Sequence, residues 1–228
     1  MEHVPKANIV AAHEAGHAIA RYLTAAEMGY SPEEAITSIE FAAPDATSYA
    51  GTSLDGKAQL YTQATTFGPM LTKEMGQMAK RVGERMGFLP GKTLGGREGF
   101  NHLSQIISEA RADGVDIEPW LLARAVIAVM GSAVEALVRN KPFFDIWESH
   151  ESEHDLIGFV EDCTVAEVPA SEISSRIDAA VERAIELLKD SHVIAAVNAL
   201  ATQLLQHGTT DGKTAARIIR DEMRTEAV

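Results

Sequence analysis

The stretch from Trp120 to Val138 restricts most sharply how this chain can fold. It is almost uninterrupted in its apolar character and about one membrane thickness long, yet it carries Arg124 and Glu135. Two ionisable groups in a lipid-facing helix are costly, so the stretch reads as a core helix of a packed protein rather than a span. A helix that is apolar on every side needs neighbours on every side, and those neighbours are expected to be helices too. Pro5 opens the first of them. Behind it Ile9, Ala12, His13, Gly16, His17, Ala20 and Leu23 recur at helical spacing over residues 5–26.

The rest of the chain fits a mainly α (α+β) fold with one small β ribbon. AITSIEF and TSYAGTSL are short β-branched runs separated by Ala43-Pro44-Asp45, and they are expected to pair as two strands. From Leu60 onward the stripe Phe67, Leu71, Met75, Met78, Val82 and Met86 predicts a helix whose methionines pack in the core. FLPGKTLGGREGF reads as a loop. Its Gly87, Gly91, Lys92 and Thr93 miss the phosphate-loop spacing by one residue and follow a helix instead of a strand, which argues against nucleotide binding. Helices are expected at 101–112, 118–139, 149–164, 171–188 and 192–206, with TTDGKT opening the last one. The organisation expected is a single domain over 1–228.

With 20 Lys+Arg against 33 Asp+Glu the net charge is −13, which repels phosphate backbones and anionic lipid. Neither nucleic acid nor a membrane surface is an expected partner. The lone cysteine, Cys163, allows no internal disulfide, and MEHVPKANIV lacks the basic-then-apolar pattern of a secretory signal. A cytoplasmic location is expected.

The chemistry concentrates in His13-Glu14-Ala15-Gly16-His17, an H-E-x-x-H on the first helix. Histidines four apart project from one face a turn apart, so both can reach one ion at the ~2.0–2.1 Å usual for zinc. Glu14, beside the ion without ligating it, can take a proton from a water the metal has acidified and hand it to a leaving amine. Gly16 weakens the helix by about 1 kcal/mol, which suggests that something approaches its backbone closely. A hydrolytic site needs one more protein ligand. Carboxylates and histidines on another helix are the candidates, and His150-Glu151-Ser152-Glu153-His154-Asp155 is dense in them.

HEAGH with the following AIA resembles the protease domain of the FtsH family, the membrane-bound ATP-dependent zinc metalloproteases. LLARAVIAVMGSAVEALV is similar to the family helix containing G-G-R-x-A-E-E, and Ser152-Glu153-His154-Asp155-Leu156 to its S-x-x-D-L. The closing segment from Ile173 to Ile219 resembles the family's last helices. The resemblance implies a zinc metalloendopeptidase acting on unfolded or loosely folded polypeptides. It implies Zn2+ held by His13, His17 and Asp155, Glu14 as catalytic acid and base, and Glu135 orienting a ligand histidine. It also implies a ribbon that holds substrate as an added strand near Ile39 and Thr52.

The family's ATPase module and membrane anchors are missing from these residues, and 57–115 has no counterpart, so it reads as an inserted helical region. That leaves open a homo-oligomer or an ATPase partner in trans. It also leaves an alternative function, a catalytically silent metal-binding interaction module, which the intact Glu14 disfavours.

Overall fold

The computed structural model describes residues 5–41, 50–52, 58–60, 64–88, 96–147 and 153–224. The fold is mainly helical. In chain order the elements are α1 (Lys6–Leu23), β1 (Ser38–Phe41), β2 (Ala50–Thr52), β3 (Ala58–Leu60), β4 (Ala64–Phe67), α2 (Lys73–Arg85), α3 (Gly96–Ala112), α4 (Glu118–Arg139), α5 (Phe143–Trp147), α6 (Glu153–Val165), α7 (Ala170–Leu187), α8 (Ser191–His207), β5 (Thr210–Asp211) and α9 (Gly212–Met223).

Helix α4 is the hub. It is long and apolar enough to cross a membrane, but most of it is buried by neighbouring helices. Pro119 suits its first turn, and Asn140, left-handed at φ 50°, ends it. Helices α1, α5, α6 and α7 all pack on it, while α8 covers α1 and α9 covers α8. Trp120, Leu121, Val126 and Met130 from α4 join Ile19 from α1 and Leu200 and Leu204 from α8 in the core.

Small residues set the closest crossing. A Cβ on Gly16 would lie 2.8 Å from the Met130 carbonyl oxygen and 3.2 Å from the Gly131 Cα. The backbone that Gly16 admits is therefore that of α4.

The β structure departs from the expected ribbon. β1 does not pair with β2; it is the central strand of a three-stranded antiparallel sheet in the order β4-β1-β5, with Ile39 opposite Thr66 on one side and Thr210 on the other. β2 pairs with β3 in a separate ribbon, with Thr52 opposite Ala58. The methionine helix also starts later than its stripe suggested. Thr72 caps it by accepting from the Met75 amide, and Phe67 lies on β4, not on the helix. Within the region read as inserted, α2 and α3 pack on each other and α3 reaches α6. Residues 91–95 of the GKTLGG loop and 150–152 lie outside the described residues.

Candidate metal centre

Helices α1 and α4 run antiparallel, so each step along one meets a defined step on the other. His13 lies beside Glu135, His17 beside the Ile127 carbonyl, and Arg21 near Arg124. Helix α6 adds Asp155 at the first level, and two turns further on its Asp162 meets Arg124. The site therefore has two tiers, each built by the same three helices.

In the first tier, His17 Nε2 is 2.9 Å from His13 Nε2, and the Asp155 Oδ2 is 3.2 Å from each. Three positions of a tetrahedron at zinc-like bond lengths lie about 3.3–3.4 Å apart, so this near-equilateral triangle matches three ligands of one ion. The opposite ring nitrogens are already committed. His17 Nδ1 donates to the Ile127 carbonyl at 2.7 Å and His13 Nδ1 to the Glu135 carboxylate at 3.2 Å. With both Nδ1 atoms donating, neutral rings would aim their Nε2 lone pairs at the Asp155 oxygen, a convergence of acceptors that a shared proton or a metal cation relieves. Glu135 is itself 4% exposed and is backed by Arg139, whose Nε lies 2.9 Å from Oε1.

The electrostatics agree. Burial alone would strip His13 of a proton, but hydrogen bonds to Asp155 and Glu135, with the charges of Asp155 and Glu14, outweigh it and raise the pKa to about 10. Burial likewise opposes the Asp155 carboxylate, yet His17 and His13 hold its pKa far below the usual carboxylate range. The lone pairs that hold this proton are the ones for which a divalent ion would compete.

Gly131 makes the tier possible. A Cβ there would lie 2.5 Å from His17 Nε2 and 2.6 Å from His13 Nε2, so any side chain would fill the space at the ligand nitrogens. Sequence reading passed over this residue. The available signal was a lone glycine inside a 22-residue apolar helix, a position that costs about 1 kcal/mol unless something needs the room.

Glu14 is buried at the wall of the site. The Thr66 hydroxyl of β4 donates to its Oε2 at 2.8 Å and lies 3.0 Å from its peptide oxygen. Thr66 also went unread, because nothing in the chain's local pattern links β4 to α1.

The substrate-holding residues fall elsewhere. Ile39 is 0% exposed on a strand flanked on both sides, so no peptide can add there. Thr52 belongs to the separate ribbon, and its side chain lies outside the described residues, as do those of Glu153 and His154.

The second tier holds Arg21 and Arg124, both nine-tenths buried. Arg124 Nε donates to Asp162 at 2.6 Å, and Arg21 Nη1 donates to the Pro69 carbonyl at 3.1 Å. Gly68 lets the chain lie against Arg21, since a Cβ there would be 2.9 Å from its Nη1 and 2.3 Å from the Ala35 carbonyl oxygen. Burial, then repulsion from Arg124, lowers Arg21 to about 10 against the pull of Glu14. Cys163, read as a small buried hydrophobe, is fully buried, and burial raises its thiol to about 11.

No protein-family model matches this chain, and no curated protein matches it at a significant level. The arrangement must therefore be interpreted from its own residues.

Proposed function

We propose that this chain is a zinc-dependent metallopeptidase acting on unfolded or loosely folded polypeptides, with an FtsH-protease-like site. His13, His17 and Asp155 hold the ion, and Glu14 is the general base and acid. The observation that carries the reading is the triangle of ligand atoms at 2.9, 3.2 and 3.2 Å with both histidine Nδ1 atoms already committed. Two imidazoles and one carboxylate suit zinc and leave a fourth position open, as hydrolytic sites do. A bound Zn2+ supplies Lewis-acid polarisation of a carbonyl and lowers the pKa of a water.

The chain's own groups do the rest. Glu135 keeps the proton on His13 Nδ1 and so keeps the ring turned toward the ion. Glu14 carries a proton from water to the leaving nitrogen, with Thr66 holding one of its oxygens. An extended substrate adding to the outer edge of β4, where no strand pairs among the described residues, would pass Glu14. The proposed strand addition is therefore at β4 rather than at Ile39.

Elemental analysis of the purified protein, paired with cleavage of an unstructured polypeptide by wild type and by Glu14→Gln, tests the proposal. Stoichiometric zinc with cleavage lost in Glu14→Gln is the expected result. Zinc without Glu14-dependent cleavage would leave the silent interaction module standing, and absence of metal would remove the reading altogether.

A further inference from the structure

One helical turn beyond the ligand histidines, the second tier gathers more positive charge than it neutralises. Arg21 and Arg124 are 7% and 9% exposed, and among the described residues only Asp162, on Arg124, forms an ion pair with either. Arg21 Nε is buried without a hydrogen-bond partner. The two guanidinium groups instead converge on one thioether: Met70 Sδ lies 3.4 Å from Arg124 Nη1 and 4.0 Å from Arg21 Nη2. A thioether is a weak acceptor, and two forked cations around a single weak acceptor form a receptor whose better occupant is a carboxylate.

Met70 is placed to give way. Its backbone is pinned by Trp120 Nε1, which donates to the Met70 carbonyl at 2.9 Å, while its residue is 52% exposed. Rotation of the unbranched side chain would withdraw the thioether from both guanidinium groups without moving the main chain.

We propose that Arg21 and Arg124, now bridged by Met70, form a carboxylate-binding subsite of the peptide groove. Arg21 follows His17 by one turn, about 5.4 Å of helix, and an extended peptide advances about 3.3–3.6 Å per residue. The carboxylate therefore lies within about two residues of the cleaved bond, and it is either the substrate's C-terminus or an acidic side chain. This role rests on the peptidase reading, but the binding test needs no turnover, so either can fail alone.

The test uses the full chain as purified, carrying Glu14→Gln, and three N-acetylated alanine tetrapeptides: a free acid, its C-terminal amide, and an amide with one internal glutamate. Affinity is measured by calorimetry, and the site is followed by the NMR signal of the Met70 methyl group. At least about a tenfold preference for a carboxylate probe over the neutral amide is expected, with the Met70 signal displaced. Preference for the free acid assigns the C-terminus, and preference for the glutamate probe assigns the side chain. Equal binding, no binding, or a stationary Met70 signal overturns the proposal. Arg21→Met is expected to abolish the preference with bound metal unchanged. A preference that survives it would place the carboxylate on the metal and also overturn the proposal.

Discussion

The two tiers of side chains between α1, α4 and α6 share their builders and differ in sign. At the first, α1, α4 and α6 bring together two imidazoles and a carboxylate, with Glu135 behind them, an arrangement rich in acceptors that draws a cation. At the second, the same helices bring two guanidinium groups to one carboxylate, an arrangement short of negative charge. What differs is the residue type further along each helix, one turn on from His17 in α1 and two turns on from Asp155 in α6. A rigid set of crossings can thus present opposite electrostatic demands at neighbouring levels.

The strongest way to break this contrast is to remove the single anion of the second tier. Asp162→Ala leaves the buried Arg124 without its ion-pair partner, and denaturant unfolding should show a loss of roughly 3–5 kcal/mol with metal content unchanged. A loss below about 1 kcal/mol would mean that the guanidinium groups are hydrated and the tiers less distinct than drawn.

Gly131→Ala acts on the first tier alone. Its Cβ would press on both Nε2 atoms, so metal should fall well below stoichiometric while stability drops by about 1–3 kcal/mol. Full metal occupancy in that variant would show that the crossing yields more readily than its geometry indicates.

The smallest effect belongs to Thr66→Val. It deletes the donor to Glu14 and should cost about 1 kcal/mol in unfolding, with metal retained and Thr66→Ser restoring the wild-type value. If Ser and Val behave alike, the methyl group and not the hydroxyl matters there.

Much of the helical frame was legible from periodicity, because α1 and α4 declare themselves over many residues. The two histidines share a face for the same local reason. Asp155 could be singled out from its acidic neighbours only through resemblance, and the structure places it 3.2 Å from both rings. Strand pairing was not legible. β1 finds β4 and β5, far apart in sequence, and Phe67 at the end of β4 happens to fall in phase with the methionine stripe of α2. The charge relations of Arg21 and Arg124 stayed hidden for the same reason, since a helix shows where a charge sits but not what faces it.

The proposed ligands are also far apart along the chain. His13 and Asp155 are separated by 142 positions. At about 5–20 residues per second of synthesis, α1 waits some seven seconds or more for its last ligand to be made. For most of that interval its glycine-faced surface has no α4 to lie against. Under the proposed assignment the centre is a late event in the life of each molecule, and ion uptake would report that α1 and α6 have come together.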